Sequence, residues 1–68
     1  MDKTEIEQAL SALLESMDLP KMRRDITTKS NLRWIGRNLM VNNSENPEAR
    51  EARILARTLL RMLENPKR

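Results

Sequence analysis

Apolar side chains in this chain recur every three or four residues in three separate stretches and nowhere in strict alternation, a pattern that admits helices packed through one face each and leaves no strand. The first stripe is Ile6, Ala9, Leu10, Leu13, Leu14 and Met17, with Thr4, Gln8, Ser11 and Glu15 on the opposite side. Thr4 followed by Glu7 has the spacing of a capping box, so the sequence predicts a helix over 4–17 that starts there. Pro20 excludes helical angles at Leu19 and ends it. Asp18 is placed to cap a short helical turn over 19–25, with Leu19, Met22 and Ile26 as its inward anchors. The residues Asp25 to Lys29 then weaken helix through β-branching and short polar side chains.

A second helix is expected over 31–41, capped by Ser30 or Asn31 and carrying Leu32, Ile35 and Leu39 inward. Gly36, the only glycine, lies on that inward side. Glycine inside a helix costs about 1 kcal/mol relative to alanine, and a close crossing of another helix is the reason expected for it. Trp34 falls nearly opposite, with Val41, beside Arg37 and Asn38. Two destinations are open to it: the bottom of the core, or an exposed aromatic and arginine patch of the kind enriched at interfaces. Asn42 to Asn46 reads as a loop, and Asn42-Asn43-Ser44 within it, although it fits a glycosylation pattern, is read as turn-forming residues only. Asn46, Pro47 and Glu48 then supply a cap, a proline at the first helical position and an acid in the first turn, opening a third helix over 47–64 that Asn65-Pro66 stops. Lys67 and Arg68 are left as a basic end.

That third helix carries two patterns at once. Ala49, Ala52, Leu55, Ala56, Leu59, Leu60, Met62 and Leu63 gather on one side, while Arg50, Arg53, Arg57 and Arg61 fall within roughly an 80° arc elsewhere. Ile54 lies off the apolar stripe, close to the arginines. Arg53 and Arg57, and Arg57 and Arg61, are like charges four apart, a repulsion of about 0.2 to 0.5 kcal/mol per pair in an isolated helix. Something must offset it, and Glu64, three residues beyond Arg61, is placed to relieve one pair.

Composition narrows the function. With 68 residues, no cysteine and no histidine, the chain is one small domain, and no disulfide or ordinary zinc, iron–sulfur or haem ligand set supports it. Its five methionines are expected to fill gaps in a core with a single aromatic residue. The polar start Met1-Asp2-Lys3-Thr4-Glu5 has no apolar signal core, and no run approaches the about 18 apolar residues of a membrane span, so a cytoplasmic protein is expected. The net charge of +3 divides unevenly: residues 1–19 carry one lysine against five acids, and the remainder twelve Lys and Arg against five. Such a dipolar chain can pair with itself or with an acidic partner.

The expected fold is therefore all-α, a small three-helix bundle with a short extra helical turn between helices one and two. No nucleophile and base constellation, phosphate loop, cofactor site or metal site is legible, and the chain is read as non-enzymatic. The function expected is a protein–protein interaction or regulatory module, with a homodimer among the options, whose partner-binding residues are Arg50, Arg53, Arg57, Arg61, Trp34 and Arg37. Nucleic-acid binding through phosphate contacts from the same face, joined by Arg23, Arg24, Lys29 and Arg33, is the alternative. Against it stand Glu48 and Glu51 in the first turn and a lone stacking platform in Trp34.

Overall fold

A computed structural model describes residues 2–39 and 46–65 of the chain. Within them the order is α1 (Lys3–Glu15), a 3₁₀ turn η1 (Lys21–Arg24), α2 (Lys29–Asn38) and α3 (Pro47–Glu64), with no strand among the described residues. The fold is all-α, a small bundle in which α3 packs against both α1 and α2, and η1 lies against α1. Met1, residues 40–45 and residues 66–68 lie outside the described residues, and with them the expected helical position of Val41, most of the expected 42–46 loop and the expected basic end at Lys67 and Arg68.

The core is built from one stripe per helix: Ile6, Leu10 and Leu14 of α1, Leu32 and Ile35 of α2 with Leu39 just past its end, and Ala49, Ala52, Leu55, Ala56 and Leu59 of α3. Three alanines on α3 keep its inner face low, so two helices can seat their leucines on it. Ala9, Leu13, Met17, Leu60, Met62 and Leu63 pack at the margins. Burying a leucine or isoleucine contributes about 1.5 to 3 kcal/mol, and six such side chains, Leu10, Leu14, Leu32, Ile35, Leu39 and Leu59, are fully enclosed.

Helix starts differ from the sequence expectation for a shared reason: a short polar side chain upstream caps first. The cap of α1 is Asp2, not Thr4. Its carboxylate accepts from the Glu5 backbone N–H at 2.9 Å while the Glu5 carboxylate accepts from the Asp2 N–H at 3.2 Å. Glu7, released from capping, instead faces Lys3 at 3.8 Å. At the other end Ser16 closes α1, its hydroxyl donating to Leu13 O at 2.7 Å, so Met17 packs on the core from outside the helix. For α2 the cap is Thr28, not Ser30 or Asn31, its hydroxyl accepting from the Asn31 N–H at 3.3 Å. Asn46 caps α3, accepting from the Glu48 and Ala49 N–H groups at 2.8 and 3.3 Å, with Pro47 behind it.

The η1 turn follows Pro20 and has no side-chain cap, so Asp18 does not serve as one. Leu19 and Ile26 reach the core from its two sides, but Met22, expected inward, is 74 % exposed. What anchors η1 is polar. Buried Asn31, one turn into α2, donates to Arg23 O at 2.9 Å and Asp25 O at 2.6 Å, and its own oxygen accepts from the Arg23 guanidinium at 3.1 Å. That guanidinium lies 4.3 Å from the centre of the Trp34 ring.

Candidate interaction surface

The four arginines of α3 divide into two pairs with different work. Helix α2 ends without glycine, and its C-cap Leu39 has φ −59° and ψ 115°, outside the left-handed region that would fold the chain back onto the last carbonyls. Arginines from the neighbouring helix do so instead. Arg57 Nε donates to Gly36 O at 2.9 Å and an Arg53 terminal nitrogen donates to Leu39 O at 3.0 Å. Those carbonyls are the negative end of the α2 dipole, where cations are stabilised. This is the offset that the like-charge spacing of Arg53, Arg57 and Arg61 requires. Glu64 does not supply it, since its carboxylate pairs across the bundle with Arg33 at 3.3 Å.

Gly36 explains how Arg57 gets there. A Cβ at that position would stand 2.9 Å from Arg57 Cγ, closer than side-chain carbons approach one another. The close neighbour is the aliphatic stem of one arginine, lying on the α2 backbone where the side chain is missing.

Arg50 and Arg61 have no such anchor. Both are exposed, and among the described residues no carboxylate pairs with any of the four arginines. Ile54 stands between them. It follows Arg50 by four residues and precedes Arg57 by three and Arg61 by seven, all neighbouring positions on one helix face, and it is 49 % exposed. The outward stripe of α3 is thus a large apolar side chain bordered by three guanidinium groups, and arginine is a residue type enriched at protein interfaces. Arg37 adds a further exposed cation across the groove between α2 and α3, which Arg57, Leu60 and the Arg33–Glu64 pair also line.

Trp34 belongs elsewhere. It sits about 160° around α2 from Gly36, is partly buried against the core margin and has Arg23 over its ring. The structure brings Arg37 to the same groove as Arg57 and leaves the tryptophan on the η1 side of α2. Sequence reasoning missed Asn31 as a hub and the carbonyl contacts of Arg53 and Arg57. The absence of glycine at Leu39, Met40 and Val41 was a usable signal for the latter, because a helix end with no glycine to fold back leaves carbonyls that take donors from elsewhere. Asn31 offered none, since asparagine at a helix start ordinarily reads as a cap.

One carboxyl is electrostatically distinctive. The Thr27 hydroxyl, and then its backbone N–H, donate to Asp25 at 2.6 and 2.8 Å and hold the Asp25 pKa below its ordinary value. It tightens the turn into α2 and lies apart from the arginine face. Among the described residues no cluster of three His, Cys, Asp or Glu side chains is placed to hold a metal ion, and no helix is long and apolar enough to cross a membrane. Compared with protein-family models, curated proteins and solved structures, the chain matches none.

Proposed function

We propose that this chain is a non-catalytic interaction module that docks an acidic protein surface on the outward stripe of α3. The observation that carries the reading is the placement of exposed Ile54 among Arg50, Arg57 and Arg61, with Arg57 held in position by Gly36 O. A partner that covers Ile54 removes its apolar surface from water, which adds to the charge pairing around it. Charge around that side chain steers an acidic partner and fixes its register, while burial of Ile54 slows its departure. Arg37 extends the positive field to α2.

A phosphate backbone fits the same face less well. Trp34, the only aromatic residue, has Arg23 over its ring and lies on the η1 side of α2, so it supplies no stacking platform beside the α3 arginines.

The test is a fluorescence anisotropy titration with labelled poly-glutamate and, in parallel, duplex DNA at low ionic strength. Saturable binding of poly-glutamate is expected, weakened roughly tenfold, about 1.4 kcal/mol, by Arg50→Gln with Arg61→Gln. Lys21→Gln with Lys29→Gln removes the same charge from exposed positions outside α3 and is expected to leave binding nearly intact. Equal losses in the two variants would reduce the effect to net charge. A clear preference for DNA, lost with Arg50 and Arg61, would transfer the face to nucleic acid.

A further inference from the structure

We infer that the acidic surface this face fits is α1 of a second copy of the same chain, an inference that rests on the arginine stripe being a docking face. The outward side of α1 presents Glu5, Gln8, Ala12 and Glu15, all exposed, at intervals of three, four and three residues. The outward side of α3 presents Arg50, Ile54, Arg57 and Arg61 at intervals of four, three and four. At 1.5 Å per residue, Glu5 to Glu15 spans about 15 Å and Arg50 to Arg61 about 16.5 Å.

Laid antiparallel, the two stripes match position by position. Glu15 meets Arg50, Ala12 meets Ile54, Gln8 meets Arg57 and Glu5 meets Arg61, with no step out of register by more than about 1.5 Å. The chemistry agrees at each step. Two carboxylates face two guanidinium groups at the ends, and the smallest side chain of the α1 stripe faces the bulky apolar one. At the remaining step the amide oxygen of Gln8 faces an arginine whose Nε is already bound to Gly36 O. The parallel arrangement sets Gln8 against Ile54 and Ala12 against Arg57, and it aligns the two helix dipoles unfavourably.

A chain cannot make this contact with itself. Its own α1 buries Ile6, Leu10 and Leu14 in the shared core, which turns Glu5 and Glu15 away to solvent. The contact therefore joins unlike faces of two copies. The strong acidic bias of residues 1–19, in a chain that is otherwise basic, is what such pairing requires.

The experiment is sedimentation velocity over a rising concentration series at low ionic strength. It compares the natural chain, Arg50→Glu with Arg61→Glu, and Glu5→Arg with Glu15→Arg, each alone and the two variants mixed in equal amounts. Circular dichroism checks helicity, and the Asp2 cap bond to the residue 5 backbone N–H is retained in every variant. The natural chain is expected to associate with concentration. Either variant alone should require roughly tenfold more protein or remain monomeric, and the mixture should recover association, because each variant then meets the opposite charge. A natural chain that stays monomeric while still binding poly-glutamate would overturn the second-copy assignment and leave the acidic-partner reading standing. Failure of both would end both. Association that survives either charge reversal, or a mixture that fails to recover, would show that copies meet through some other surface.

Discussion

At Asn31 a single amide holds the η1 turn to α2, and its burial makes the arrangement unforgiving. Replacing it with leucine keeps the branching and the number of heavy atoms but strands Arg23 O and Asp25 O, and a buried group left without a partner costs about 1 to 3 kcal/mol. Asn31→Leu is expected to lower urea-melt stability by that amount and to release Arg23 from Trp34, with a red shift in tryptophan emission; unchanged emission would show that Trp34 does not depend on this hub. At Gly36 two effects oppose each other. Alanine favours the helix by about 1 kcal/mol but its Cβ meets the Arg57 stem at 2.9 Å. Gly36→Ala is therefore expected to give no gain in the natural chain and to stabilise by about 1 kcal/mol when Arg57→Ala is already present. The same change in both backgrounds would mean that the contact does not govern the position. At Asp25 the two Thr27 donors favour the ionised carboxyl, so the unfolded chain binds that proton more readily than the folded one. The stability this turn contributes is complete above the ordinary carboxylate pKa and is lost as pH falls through the lower folded value. Thr27→Val should return the Asp25 titration, followed by NMR, toward the ordinary value, and an unmoved titration would remove the hydroxyl as its main cause.

The elements were legible in the sequence to the extent that apolar spacing controls them. Three stripes, the break at Pro20 and the start of α3 at Asn46-Pro47 follow from side-chain periodicity and proline geometry alone. The starts of α1 and α2 differ from the expected ones because several short polar residues stand close together, and spacing does not rank Asp2 against Thr4 or Thr28 against Ser30 and Asn31. The choice depends on which side chain meets a free backbone N–H. Where one candidate stood alone, at Asn46, its bonds to Glu48 and Ala49 are those of the expected cap, and Asn46→Ala should destabilise the domain by about 1 kcal/mol in a urea melt. Met22 was misplaced for a related reason. An apolar residue in a four-residue turn has no stripe to join, and Leu19 and Ile26 already cover the core there.

Across the whole molecule, the arginine row was visible from its spacing, but its division was not. Nothing in the sequence of α3 says that Arg53 and Arg57 complete a different helix, because that depends on how α2 ends and on Gly36 letting an arginine stem lie on its backbone. The division is the central physical claim: Arg53 and Arg57 hold the bundle together, and Arg50 and Arg61 serve the outside. Urea unfolding of two paired substitutions tests it most directly. Arg53→Met with Arg57→Met keeps the stems but removes the bonds to Gly36 O and Leu39 O, and the stability is expected to fall by about 1 to 3 kcal/mol. Arg50→Gln with Arg61→Gln is expected to stay within about 0.5 kcal/mol of the natural chain. Equal effects from the two pairs, or a larger loss from Arg50 and Arg61, would contradict the claim.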